Sequence, residues 1–463
     1  MPLDRTDIDL CSIHSQQRAY FDSGITKNPA FRVKQLSKLK DVIKTYEDKL
    51  FAAVENDLGK CRYEAYLTEL GVLYRELDFF ISNVHEFCLP VKVKNELANV
   101  GGKCYLLPEP LGCSLVLSPW NYPVQLSLIP LFTAMAAGNT VILKPSENAP
   151  ACSALITEMV NKHFDLQYIH TIEGGPGITQ EILKLKFDKI FFTGSSHVGK
   201  LVYKAAAENL TPVTLELGGK SPAVVLPDVN ISMAVKKILW GKFINSGQTC
   251  IAPDYVLVHE KVKDQFLQEV KNEIENRYKE CDTFVRIINE KHFDRLLGLI
   301  DESKIFIKGK SDRIKLHLGP TVLTDVHPDD KVMQEEIFGP VLPVMSFLTL
   351  SEAKSIVKSY GKPLAFYIFS GDKKSIDDLL HDVSFGGCTI NDTIMHFTNN
   401  NLPFGGVGES GLGSYHGEAG FRTFSHYKSV MEVPLSLNPV LKYQPYSNWK
   451  YKLLRWFFEK ISN

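Results

Sequence analysis

Cys250 stands in the stretch INSGQTCIAPD, between a glycine-led turn and a strand-like run. A thiolate there would be a potent nucleophile, although most cysteines are simply small buried hydrophobes. Glu216 interrupts the apolar pattern of TLELGGKSP. A buried carboxylate is costly unless it is paired or does chemistry. Asn121, in SPWNYP at a strand end, carries an amide that can donate to a developing oxyanion or merely shape a turn. Lys144 and Glu147, in VILKPSEN, put a donor and a carboxylate past the end of another strand, where they could meet ribose hydroxyls or form an exposed charge pair. FFTGSSHVGK follows a strand and opens a helix. Its Gly194 and Gly199 depart from the G-x-G-x-x-G spacing, and it lacks a P-loop ending, so phosphate approach and a plain turn both fit.

These residues need a scaffold. Apolar positions at helical spacing from Pro29 to Asn56 predict a helix, and YLTELGVLYRELDFFISNVHEF predicts another. From Leu111 onward short apolar strands alternate with helices: CSLVLS, QLSLIPLFTAMAAG, TVILKPS, APACSALITEMVNKHF, YIHTIEG, TQEILKL, KIFFTGS and VGKLVYKAAAENL. Alternation of this kind predicts a doubly wound parallel sheet whose strand-end loops share one edge. Asn121, Lys144, Glu147 and Gly194 should then face one crevice. A second alternation runs from ISMAVKKILWGKF and DYVLVHE to PLAFYIFS and GCTIND, and Cys250 belongs to it. The glycine-rich LPFGGVGESGLGSYHGEAGF reads as a structured loop.

Composition sets limits. The 463 residues are 44% hydrophobic and 23% charged, enough for a large core. With 52 basic and 53 acidic residues, nothing suggests a nucleic-acid partner. The nine cysteines are scattered, none in a Cys-x-x-Cys pair, and MPLDRTDIDLCSIH carries no signal-peptide pattern. The expectation is a reduced, cytoplasmic protein needing no metal. No apolar run nears the roughly 20 residues of a membrane span. The C-terminal NWKYKLLRWFFEKISN could make weak peripheral contact with a membrane. Its shortness and few charges favour docking on protein instead.

Taken together, SPWNYP, AGNTVILKPSE, FTGSSHVG, LELGGKSP, GQTCIAPDYVL, EEIFGPVLPV and NLPFGGVGESGLGSYHG resemble the aldehyde dehydrogenase superfamily, in its order, from about Leu111 to Phe421. GQTCIAPDY and GESGLGSYHGEAGF are similar to class 3, which includes fatty aldehyde dehydrogenases. The resemblance implies an α/β fold with two doubly wound, Rossmann-like domains and a small oligomerisation hairpin. The corresponding boundaries are 1–90 with 109–214 for NAD binding, 215–422 for catalysis, 91–108 with 423–445 for oligomerisation, and 446–463 for the amphipathic tail. It implies Cys250 as nucleophile, Asn121 and the Cys250 N–H as oxyanion donors, and Glu216 as general base. Lys144 and Glu147 would contact the adenine ribose, Glu336 the nicotinamide ribose, and Phe338 the nicotinamide ring. Gly194 and Ser195 would lie near the pyrophosphate, with Gly199 and Leu217 in the same cofactor-binding set. Tyr122, Ile244, Thr249 and Ile394 are expected in the substrate tunnel, which suits medium or long aliphatic or aromatic aldehydes. The cofactor is expected to be NAD, with NADP also accepted, and the assembly a homodimer. A coenzyme A-acylating enzyme and a catalytically silent relative are the alternative readings. Glu216 argues against the first, and the intact set of Cys250, Asn121 and Glu216 against the second.

Overall fold

The computed structural model describes residues 9–96, 99, 101–278 and 285–460. Leu97, Ala98 and Val100 of the expected hairpin, and the ninth cysteine, Cys281, lie outside the described residues. The chain divides into two compact units, residues 1–87 with 109–426 and residues 88–108 with 427–463.

The larger unit contains two sheets. The first orders Ile169–Thr171, Thr140–Lys144, Cys113–Leu117, Lys189–Thr193 and Val213–Glu216, all parallel, with Gly411–Leu412 antiparallel at the edge. Chain order reverses between Cys113–Leu117 and Lys189–Thr193, and ligands bind outside the carboxyl ends at such a switch point. Strands 113–117, 140–144 and 189–193 are buried at every residue. Helices on both faces explain their unbroken apolar runs. One of these, Gln125–Ala137, is buried at all thirteen positions and stops at Gly138 in a left-handed conformation, φ 93°.

The second sheet places Thr321–Leu323, Val341–Phe347, Tyr255–His259, Pro222–Val225, Ala365–Phe369 and Gly387–Ile390 in parallel, with Ile305–Ile307 antiparallel at one edge. Its core gathers Tyr255, Leu257, Phe293, Phe347 and Phe366. The helix expected from Pro29 to Asn56 runs Pro29–Leu58, ISMAVKKILWGKF forms helix Ile231–Phe243, and a further helix spans Lys263–Arg277. Leu10–Asp22, a further helix, carries little apolar periodicity and was not anticipated; it buries Ile13 and Gln17. The YLTEL stretch is one π-helical turn, Tyr66–Leu70, before helix Gly71–Phe87. The glycine-rich loop also holds more order than expected, supplying strand Gly411–Leu412 and helix Gly417–Thr423.

The smaller unit holds most of a three-stranded sheet ordered Val91–Lys92, Lys103–Pro110 and Ser425–Glu432. It ends in helix Asn448–Lys460, on which Trp449, Tyr451, Trp456 and Phe458 are exposed. Among the described residues no helix is long and apolar enough to cross a membrane.

Candidate active site

Two cavities meet inside the larger unit. One, of about 450 Å³, opens at the switch point of the first sheet and is walled by Asn121, Gly194, Ser195, Leu217, Glu336 and Phe338, among others. The other, of about 210 Å³, is walled chiefly by apolar side chains, including Leu67, Val72, Leu126, Trp240, Ile244 and Ile394. Thr193, Glu216 and Cys250 line both. Tyr122 and Thr249 also stand in the apolar cavity, with Tyr122 Oη 2.5 Å from Thr249 Oγ1. The four expected tunnel residues are therefore brought together.

Cys250 is placed by an unusual turn. After helix Ile231–Phe243, Asn245, Ser246 and Gly247 take φ values of 54°, 50° and 74°. Two non-glycine residues in the left-handed region cost energy that local bonds must offset. Asn245 Nδ2 donates to the carbonyls of Asn121 and Gln248 at 2.9 and 3.0 Å. Ser246 Oγ donates to the Val285 carbonyl at 2.5 Å, and Gln248 Nε2 to that of Arg286 at 3.0 Å. Gly247 serves by fixed geometry rather than by flexibility: a Cβ there would sit 2.3 Å from the Gly339 carbonyl oxygen. Asn121 Nδ2 donates to the Gln248 carbonyl at 3.0 Å, which uses one amide hydrogen and leaves the other for a ligand.

Glu216 ends its strand opposite Thr193 and Gly411. Only 2% of it is exposed, and neither carboxyl oxygen has a hydrogen-bond partner. Burial pushes its pKa well above the usual carboxylate range. Burial also raises the Cys250 thiol, as do the Glu336 and Glu216 carboxylates, while the Cys250 and Ile251 N–H groups oppose this.

The segment bearing Glu336 and Phe338 is clamped from three sides. Arg295 bonds Glu335 Oε1 at 2.9 Å and the Ile337 carbonyl at 2.6 Å. Lys220 bonds the Val332 and Glu335 carbonyls at 3.0 and 2.9 Å and pairs with Asp254 at 2.5 Å. Asp254 in turn accepts the Ile337 N–H at 2.9 Å. Phe338, at φ 52°, meets the Trp120 ring edge-on at 5.4 Å. The Glu336 carboxyl lies against Gly218, where a Cβ would be 2.1 Å from Oε2. Its pKa is raised to about 8 by burial first and by Asp254 second.

Other expected cofactor residues are placed differently. Ser195 Oγ accepts the Val198 N–H at 3.4 Å as the cap of helix Ser196–Glu208. Gly199 is outside the cavity walls; a Cβ there would sit 2.7 Å from Leu217 Cδ2, so it admits Leu217. Lys144 and Glu147 also lie outside those walls and pair with each other at 2.6 Å.

The fold has known counterparts. Residues 9–430 match the model of the aldehyde dehydrogenase family. The chain belongs to that family. It is 43% identical over 448 residues to a 4,4'-diaponeurosporen-aldehyde dehydrogenase of Staphylococcus aureus, covering 96% of this chain and 97% of that one. It is 42% identical over 452 residues to rat aldehyde dehydrogenase family 3 member A2, covering 96% and 93%. A substrate-bound Staphylococcus aureus AldH structure superposes with a TM-score of 0.94 at 42% identity, covering 97% of this chain and all of that one. PnpE in complex with nicotinamide adenine dinucleotide gives 0.83 at 26% identity, covering 94% and 92%. The chain is therefore an oxidoreductase of a family that oxidises aldehydes with NAD(P).

Several wall residues escaped the sequence reading. Trp120, His292 and Arg295 line the larger cavity, and Leu67, Val72 and Trp240 the apolar one. Trp120 was legible as a neighbour of Asn121. The others come from distant helices whose apolar or charged faces look like any packed or solvated helix.

Proposed function

We propose that this chain oxidises medium- or long-chain aliphatic or aromatic aldehydes to carboxylic acids through a thioester on Cys250. The carrying observation is that one thiol and one unpartnered carboxyl group line both a polar-rimmed cavity and an apolar one. The Cys250 thiolate attacks the aldehyde carbon, and the carbonyl oxygen becomes an oxyanion held by the free Asn121 N–H and the Cys250 backbone N–H. Donors of this kind each contribute about 3–4 kcal/mol in other enzymes. Bound NAD(P) would supply the hydride acceptor for this oxidation, beside Glu336 and Phe338. Glu216, once deprotonated, takes a proton from the water that attacks the thioester, which releases the acid and restores the thiol.

Glu336, Gly218, Phe338 and the Gly194–Ser195 turn suit a dinucleotide. The carboxyl group has hydrogen-bonding capacity for ribose, Gly218 admits that carboxyl group beside it, and a helix N-terminus favours phosphate. Glu147 would repel a 2′-phosphate, which favours NAD over NADP. The apolar cavity favours hydrocarbon substrates. A homodimer, with 91–108 and 423–445 as the oligomerisation element, completes the reading.

The test is reduced-nicotinamide formation by pure protein with NAD and aldehydes from acetaldehyde to hexadecanal, plus benzaldehyde. Sustained turnover without coenzyme A, rising with chain length, is expected. Turnover only when coenzyme A is added would replace hydrolysis with acylation, and none in either case would favour a silent relative.

A further inference from the structure

Three charged residues from one short segment reach both loops of the proposed site. Lys60 is 1% exposed and pairs with Glu69 at 3.1 Å, while its ammonium lies 4.3 Å from the centre of the Tyr122 ring. Glu69, fully buried, turns its other oxygen to the Val124 and Gln125 N–H groups at 2.9 and 3.1 Å. Those donors belong to the start of helix Gln125–Ala137, so Glu69 pins the chain just after Asn121 and Tyr122. Glu64 Oε1 accepts the Asn245 N–H at 2.7 Å, at the first left-handed residue before Cys250. Glu64 lies in the short helix Arg62–Ala65 and Glu69 in the π-helical turn Tyr66–Leu70 that follows it. Lys60 and Glu69 are buried and Glu64 is partly buried; buried charges are costly unless they hold something in place, and here each one is bonded to a loop of the proposed site or to its partner.

We propose that Lys60, Glu64 and Glu69 act as a clasp that sets the Asn121–Tyr122 loop against the Cys250 loop, as positioning residues for the attack step. This rests on the Cys250 reading above. The Tyr122–Thr249 bond at 2.5 Å closes the circuit, since Lys60 fixes the ring and Thr249 precedes the thiol. None of the three residues lines the larger cavity, so cofactor affinity should be independent of them.

The test uses the full-length enzyme with Glu64→Ala, which deletes the acceptor of the Asn245 N–H, and Glu64→Gln, which restores one. A core truncation far from the site, Leu36→Ala, serves as a control for lost stability. Three quantities are read: the first-turnover hydride burst, the rate of Cys250 alkylation by iodoacetamide followed by mass spectrometry, and the NAD dissociation constant. Glu64→Ala should slow the burst by about tenfold or more and alter the alkylation rate, because a small misplacement of reacting groups costs that much. NAD binding should stay within about twofold, and Glu64→Gln should recover most of the loss. The proposal is overturned if Glu64→Ala bursts and alkylates like wild type, if Glu64→Gln is equally slow, or if Leu36→Ala shows the same loss. Absence of any burst from wild type would instead sink the oxidation reading, and Cys250 alkylation across the same variants would still decide the clasp.

Discussion

Replacing Glu216 by Gln tests the proposed chemistry and the electrostatics together. The substitution keeps the side-chain volume and removes the base. General-base catalysis is worth about 10²–10⁴-fold, or roughly 3–5 kcal/mol of barrier. Thioester hydrolysis should slow by that factor while the first hydride transfer survives, so stopped-flow records should show one equivalent of reduced nicotinamide and then a near-flat trace. Stability supplies an independent check. Glu216 is 2% exposed, without partners, and its folded-state pKa is raised by burial. Between the unfolded carboxyl pKa near 4.3 and the raised folded value, the unfolded chain loses a proton that the native state keeps. Glu216 therefore costs increasing stability as pH rises through that window, and Gln does not. Urea unfolding of both proteins from pH 5 to 8 should show the variant gaining on wild type by up to about 1.4 kcal/mol per pH unit. The comparison cancels other groups that titrate in the same range. Steady-state turnover within about threefold of wild type would remove Glu216 as the base. A stability difference that stays flat with pH would refute its burial as a neutral acid.

Cys250→Ala should abolish turnover while NAD still binds by calorimetry; retained oxidation would remove Cys250 as the nucleophile. Glu147→Gln, which breaks the 2.6 Å pair with Lys144, should raise the NADP-to-NAD ratio of kcat/KM, and an unchanged ratio would take Glu147 away from the ribose. Gly218→Ala sets a methyl 2.1 Å from Glu336 Oε2, so the NAD dissociation constant should rise about tenfold or more, equal to about 1.4 kcal/mol. Glu336→Gln should speed Cys250 alkylation above about pH 8, where the wild-type carboxyl would have lost its proton and repels the thiolate, and change little at pH 6. Equal acceleration at both pH values would show that the repulsion is not electrostatic.

The parallel strands were legible because burial on both faces leaves continuous apolar runs, as in Cys113–Leu117 and Lys189–Thr193. Helix Gln125–Ala137 was legible down to its glycine stop for the same reason. Strand Gly411–Leu412 was not, since two residues carry no periodicity and its glycine is shaped by approach to Leu215, 2.5 Å from a would-be Cβ. The left-handed run at Asn245 and Ser246 was hidden because neither residue type requires that conformation; distant carbonyls hold it there. Lys60 and Glu69 carry no mark of burial in the sequence, and only the fold reveals that both are buried. Cys250, Glu216 and Asn121 could be picked out from motif wording, whereas the tunnel wall, drawn from residues as far apart as Leu67 and Ile394, has no local pattern to read.

Under the proposed function, the placement of Cys250 also bears on how its thiol is held between turnovers. Burial and two neighbouring carboxyl groups disfavour its thiolate, and the Cys250 and Ile251 N–H groups favour it. In the proposed attack, negative charge would pass from sulfur to the carbonyl oxygen, and the Cys250 N–H, already beside the sulfur, would serve both. The free Asn121 N–H is then the donor added in the transition state, because its other hydrogen is already held by the Gln248 carbonyl. Rate acceleration depends on interactions gained between ground state and transition state, not on those already made to the resting thiol. Asn121 should therefore matter more to the attack step than either backbone N–H. Its position is set by the same Gln248 carbonyl that Asn245 Nδ2 holds at 3.0 Å, so the loop that leads to Cys250 and the proposed oxyanion donor are fixed to one shared atom.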